Sequence, residues 1–166
     1  MTLRPYNILI LCTGNSARSI LGEALFNTLG AGRFQAYSAG SHPSGRVNPF
    51  ALEVLRTLDY PADKLRSKSW DEFAEPGAPQ MDIIVTVCDN AAGEMCPLWP
   101  GQPVTAHWGF PDPAAVEGTE DEKRAAFAKT LQQIRRRVEL FLNLPLETLD
   151  RVAIAQEMRR IGEEPL

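Results

Sequence analysis

Three cysteines, two histidines and no long apolar run are what this 166-residue chain has little of, and each shortage excludes something. A small, odd number of cysteines is a poor disulfide framework, so the thiols either have another use or are small buried hydrophobes. Neither His42 nor His107 stands at ligand spacing from the Cys88 and Cys96 pair, which argues against a zinc site. No apolar stretch approaches the ~20 residues of a membrane span. The first apolar run stops after Leu11 in a polar loop, unlike a signal peptide. The expectation is a cytoplasmic protein without a membrane partner. Basic charge is scarce as well: 17 Lys plus Arg against 21 Asp plus Glu give a net charge of −4. The densest basic run, Arg135-Arg136-Arg137, lies in a helical pattern and is expected to be a solvated face. No nucleic-acid partner is expected.

What is present is enough apolar residue for one packed domain, 44% of the chain, arranged as alternating strand and helix patterns. That order predicts an α/β domain on a mainly parallel sheet. Strands are expected at about 6–11, 33–39 and 81–87, with a short one at 104–106. An amphipathic helix is expected at 19–29, with Leu21, Ala24, Leu25 and Leu29 on one face and Gly30 as its stop. Asn48 and Pro49 have the chemistry of an N-cap and first helical residue, followed by an Ala51, Val54, Leu55, Leu58 stripe. Thr119 and Glu122 form a capping-box pattern opening a long helix whose core face is Phe127, Leu131, Ile134, Val138 and Phe141. The domain is read as 1–145, with 146–166 as a helical extension over about 147–161, stopped by Gly162. It packs on the domain or meets a second copy.

The chemistry concentrates after the first strand. Cys12-Thr13-Gly14-Asn15-Ser16-Ala17-Arg18-Ser19 places a cysteine at a strand end, small or polar residues able to turn N–H groups toward one point, and an arginine where a helix begins. A nest of N–H groups, a helix N-terminus and a guanidinium fork together bind a tetrahedral anion. The same field is expected to lower the Cys12 pKa into roughly the 3.5–7.5 range of activated thiols. Cys88 also follows a buried-strand pattern, which brings it to the same sheet edge, where ligands of parallel sheets sit. Cys96 follows after seven residues, a spacing suited to passing a disulfide outward. Each cysteine taken alone is equally a buried inert thiol. His107 is read as a hydrogen-bonded histidine beside Trp108 rather than a ligand.

Cys12 to Ser19, the Cys88 to Cys96 segment and His-Trp-Gly-Phe-Pro-Asp-Pro-Ala at 107–114 resemble the arsenate reductases built on the low-molecular-weight tyrosine phosphatase fold, in register from about residue 6 to 142. The resemblance implies a four-stranded parallel sheet flanked by helices on both faces, and reduction of arsenate to arsenite. It implies that Cys12 attacks arsenate, Cys88 releases arsenite, and Cys96 carries the disulfide to thioredoxin, with glutathione and glutaredoxin as the other possible donor. Phosphate and sulfate would compete with arsenate. Asp112 would be the general acid on the departing oxygen, its alternative being a turn aspartate between prolines. Ser19 would hydrogen-bond the Cys12 thiolate or cap the helix. No tightly bound cofactor is implied; Asn15, Glu23, Ser38 and Asp71 match positions that hold potassium in some members. A low-molecular-weight tyrosine phosphatase and a non-enzymatic oxyanion or redox sensor are the alternatives. Ala17, where many phosphatases carry a cysteine, and the lack of a tyrosine after Asp112-Pro113 weigh against the phosphatase.

Overall fold

A computed structural model describes residues 5–88 and 103–166. Four strands, β1 (Tyr6–Cys12), β2 (Phe34–Gly40), β3 (Ile83–Thr86) and β4 (Val104–His107), form one sheet in the order β2-β1-β3-β4. All three pairings are parallel, with Cys12 beside Gly40 and Leu11 beside Thr86. β1 is central and buried from Ile8 onward, so its run of apolar residues serves both faces of the sheet. Ile8, Ile10 and Cys12 join the larger core, while Leu9 and Leu11 meet Trp70, Phe73, Met81 and Ile84 on the other face.

Four helices occur among the described residues: α1 (Arg18–Leu29), α2 (Pro49–Leu55), α3 (Glu120–Leu142) and α4 (Arg151–Glu163). α2 begins as its sequence predicts, with Asn48 Oδ1 accepting from Phe50 N–H at 2.8 Å and Pro49 inside the start. It ends sooner than the stripe suggests, tightening into a 3-10 turn over Arg56–Leu58. α3 has both arms of its capping box and buries the five apolar residues expected of it. α1 is not amphipathic: every residue from Ser19 to Phe26 is buried, because the helix is wedged between β1, β2 and α3.

The extension does not stand apart. Ile154, Met158 and Ile161 of α4 belong to the larger core, and Trp108 Nε1–H donates to the Met158 carbonyl at 2.8 Å. α4 starts at an N-cap, Asp150, whose carboxylate accepts from Ala153 N–H at 2.8 Å. Gly162 is not its stop. The helix runs through it, and a Cβ there would lie 2.5 Å from the His107 carbonyl oxygen, so this glycine is what lets α4 close on β4. Arg137 is not a solvated residue either. It is 4% exposed, donates to the carbonyls of Gly109 (3.0 Å) and Glu164 (2.9 Å), and lies 4.7 Å over the Phe110 ring. α3 and α4 thereby hold the segment leading to Asp112. No helix among the described residues is long and apolar enough to cross a membrane.

Candidate active site

The residues from Cys12 to Arg18 form a loop between β1 and α1 whose carbonyls turn outward. Thr13 O accepts from His42 N–H (3.0 Å), Gly14 O from Ser44 N–H (3.0 Å) and Ser67 Oγ (3.1 Å), and Ser16 O from Asn48 N–H (2.9 Å). Three loop carbonyls are thus committed to the surrounding segments, while the Thr13 and Gly14 N–H groups are directed at the two thiols; a loop that turns its N–H groups to one point is a nest for an anion. Asn15 sits at the tightest corner, fully buried in the left-handed region at φ 46°. Asparagine tolerates that conformation, and its side chain is bonded at both ends: Nδ2 donates to Ser19 Oγ at 2.8 Å and Oδ1 accepts from Lys68 N–H at 2.9 Å. Gly40, at the end of β2, has no room for a Cβ, which would strike the Thr13 and Cys12 carbonyls.

Ser19 therefore supports Asn15 and does not cap α1, whose N-cap, Ala17, makes no side-chain hydrogen bond. The open helix start favours an anion. Arg18, the first residue of α1, is positioned across the loop mouth by a 2.9 Å bond from Nη1 to the Phe110 carbonyl, with Nη2 3.7 Å from Asp112 Oδ2. Its Nε is buried without a hydrogen-bond partner among the described residues, a donor that an oxyanion would satisfy. Asp112 has 42% of its side chain exposed and receives the Ala114 N–H at 3.0 Å, so it opens the Pro113–Ala115 turn while facing Arg18. The turn-former reading of this residue holds, and the same conformation sets its carboxylate beside Arg18.

Cys12 and Cys88 are both buried, and their thiols lie within interaction reach of each other. Parallel pairing of β1 with β3 delivers them together, since Val87 N–H bonds to the Leu11 carbonyl and Cys88 is the next residue. The Thr13 N–H also points at Cys88 Sγ, 3.3 Å away. This changes the expected electrostatics. The Cys12 thiol is held well above its ordinary pKa, first by the hydrogen bond to Cys88 and then by burial; Arg18 and the Gly14 N–H pull the other way and lose. A proton shared between two sulfurs belongs to the pair, so one thiolate forms readily only at the expense of the second. Cys96 lies outside the described residues.

Of the four positions matched to a potassium site, Asn15, Glu23 and Ser38 are buried, whereas Asp71 is exposed on the Trp70–Phe73 turn. Glu23 is no solvated helix residue: Oε1 accepts from Ser38 Oγ at 2.6 Å. Lys68, which sequence reasoning passed over, places Nζ 3.8 Å from the same oxygen. No group of three or more His, Cys, Asp or Glu able to hold a metal occurs among the described residues. His107 Nδ1 lies 2.8 Å from Thr86 Oγ1, a bonded histidine at the end of β4.

Residues 7–154 match the family model of the low molecular weight phosphotyrosine protein phosphatases. The chain belongs to that family. Within it, the chain is 36% identical over 134 residues to an arsenate reductase of Halalkalibacterium halodurans, covering 81% of this chain and 93% of that one. It is 35% identical to the arsenate reductase of Bacillus subtilis over the same shares. Among solved structures, an arsenate reductase from Archaeoglobus fulgidus is 29% identical with a TM-score of 0.58, covering 80% of this chain and 98% of that one. The low-molecular-weight protein tyrosine phosphatase of T. tengcongensis shares the fold with a TM-score of 0.59 at 21% identity, covering 81% of this chain and 95% of that one. The matched stretch spans the sheet, the loop, Arg18 and Cys88.

Proposed function

We propose that the protein reduces arsenate to arsenite. The observation that supports this reading over hydrolysis is the Cys88 thiol, set beside Cys12 and against Thr13 of the anion loop, whose N–H lies 3.3 Å from its sulfur. Arsenate and phosphate are nearly the same size and charge, so the loop's N–H groups and Arg18 hold either. The distinction is redox: arsenic(V) accepts two electrons from thiols and phosphorus(V) does not.

In the first step Cys12 passes its proton to an arsenate oxygen and attacks arsenic as the thiolate; a sulfur–arsenic bond forms, and a hydroxyl of the arsenate leaves as water with a proton from Asp112. The N–H nest, the start of α1 and Arg18 stabilise the charge on the remaining oxygens. In the second step the Cys88 thiolate attacks Cys12 sulfur. The sulfur–sulfur bond forms, the sulfur–arsenic pair of electrons stays on arsenic, and arsenite departs. Two thiols have become one disulfide, which balances the two-electron reduction. Cys96 then attacks Cys88, freeing the Cys12 thiolate and placing the disulfide at Cys88 and Cys96 for an external dithiol to reduce. Thioredoxin is the proposed donor. Phosphate and sulfate are expected to compete at the loop.

The test is arsenate-dependent NADPH oxidation, run in parallel with thioredoxin plus its reductase and with glutathione plus glutaredoxin. Turnover with the thioredoxin system alone is expected. Cys12→Ser should abolish both arsenate turnover and any hydrolysis of an aryl phosphate, while Cys88→Ser should abolish only the former. Arsenate turnover by the Cys88→Ser protein with thioredoxin as sole donor would sink the relay.

A further inference from the structure

Behind the anion loop lies a buried ion pair that touches neither reacting sulfur. Lys68 is 8% exposed and Glu23 6%, with Nζ 3.8 Å from Oε1. The Lys68 ammonium also donates to the Arg66 carbonyl at 2.9 Å, and Glu23 Oε1 accepts from Ser38 Oγ. The same lysine is joined to the loop through its backbone, since its N–H bonds Asn15 Oδ1 at 2.9 Å. Asn15 in turn fixes Ser19, at the start of α1. One residue therefore connects the buried carboxylate to the left-handed corner of the loop.

Burying a lysine and a glutamate is costly, because both leave water and their attraction must make up the loss. Burial in fact pushes Glu23 up and Lys68 down from their ordinary values. A lysine is a flexible four-carbon stem that reaches solvent wherever it can. Its burial beside Glu23 puts that positive charge to use. Asn15, Glu23 and Ser38 would by themselves make an oxygen-rich set for a monovalent cation. Here Glu23 already has a cationic neighbour in Lys68, and Asp71, the fourth matched position, stands exposed on its turn. Potassium does not fit this arrangement.

We infer that the Lys68 ammonium is a built-in cation behind the loop: it neutralises Glu23, from a residue whose backbone N–H holds Asn15 at its corner, and makes oxyanion capture independent of dissolved potassium. Lys68 is a positioning residue, acting through Glu23 and Asn15. The inference requires that the loop bind an oxyanion, as the proposed function does, but not that arsenate be the one reduced.

The experiment measures inorganic phosphate binding by titration calorimetry on the full chain, in potassium chloride and in tetramethylammonium chloride at equal ionic strength. The wild-type affinity is expected to be the same in both salts. Lys68→Met should bind about tenfold more weakly in tetramethylammonium chloride, within the ~5–150-fold usual for coupled sites, and recover in potassium chloride. Lys68→Met combined with Glu23→Gln, which leaves no carboxylate to neutralise, should lose the salt difference. Wild-type binding that strengthens with potassium overturns the inference and needs no variant to do so. Weakening in Lys68→Met that potassium does not restore also overturns it, because a merely structural lysine would give that result. Absence of wild-type binding in both salts removes the proposed function together with this inference, whereas potassium-dependent wild-type binding removes this inference alone.

Discussion

Replacing Cys96 by serine should stop the enzyme at a state whose stability the fold allows to be estimated. Of the three cysteines, only Cys12 and Cys88 then remain, and one equivalent of arsenate should yield one arsenite and a Cys12–Cys88 disulfide. The two sulfurs already hydrogen-bond at the ends of adjacent parallel strands, so the bond asks little rearrangement of the native state. The unfolded chain is affected far more. Thr13 and Cys88 are separated by 75 residues, so the cross-link closes a loop of nearly that size. In the chain-entropy account such a loop is worth ~4.5 kcal/mol at 25 °C, and measured disulfides usually deliver ~2–4 kcal/mol. Taking about 3 kcal/mol, at roughly 2–4 °C per kcal/mol for a chain of this size, the arsenate-treated protein should melt about 6–12 °C above the reduced one. Thermal unfolding followed by circular dichroism measures the shift, and maleimide alkylation read by mass spectrometry should fall from two labels to none. Arsenite accumulating beyond one equivalent without added thiol would refute the stalled relay. Loss of both labels without a rise in melting temperature would refute the claim that β1 and β3 hold the sulfurs ready.

Cys88→Ala removes the largest influence raising the Cys12 pKa, leaving Arg18 and the Gly14 N–H opposed only by burial, so the pH profile of Cys12 alkylation should move to lower pH; an unchanged or higher profile would contradict the paired-thiol reading. Asn15→Ala strands the Lys68 N–H and the Ser19 hydroxyl in a buried site, and urea unfolding should show a loss of about 2–6 kcal/mol, given ~1–3 kcal/mol for each orphaned group. A loss under about 0.5 kcal/mol would mean that the loop corner holds itself. Arg137→Ala removes two bonds to carbonyls and the stacking on Phe110, and should lower stability by about 2–4 kcal/mol while slowing arsenate turnover through the Asp112 segment. Full turnover in a destabilised Arg137→Ala protein would separate that clamp from catalysis.

The parts of this molecule that were legible in its sequence are those encoded within a few residues. The Thr119 and Glu122 capping box, the Asn48-Pro49 helix start and the apolar run of β1 are local signals, and the structure carries them where they stand. The anion loop was legible because its turn chemistry, its cysteine and Arg18 fall within eight residues. What sequence reasoning missed depends on partners distant along the chain. Gly162 looks like a helix stop until the His107 carbonyl is brought against it, 55 residues earlier in sequence. Arg137 sits in a basic run and is buried because Gly109 and Glu164 supply carbonyls. Lys68 carries no motif at all, and only the meeting of α1 with the segment after α2 puts it beside Glu23. The lowered Cys12 pKa failed for the same reason: Arg18 and the Gly14 N–H do pull it down, but the competing thiol arrives from the segment after β3.

The Arg137 clamp also imposes an order on the birth of the enzyme. Its second carbonyl, that of Glu164, is made 27 residues after the arginine itself, which at ~5–20 residues per second is a delay of about 1–5 s. During that interval both thiols, Arg18 and Asp112 already exist in the nascent chain, while α4 is still unmade. The segment from Gly109 to Asp112 can then be drawn toward Arg18 but lacks half of what pins it. An emerging chain therefore carries both thiols, Arg18 and Asp112 before Arg137 has the second of its two carbonyl anchors.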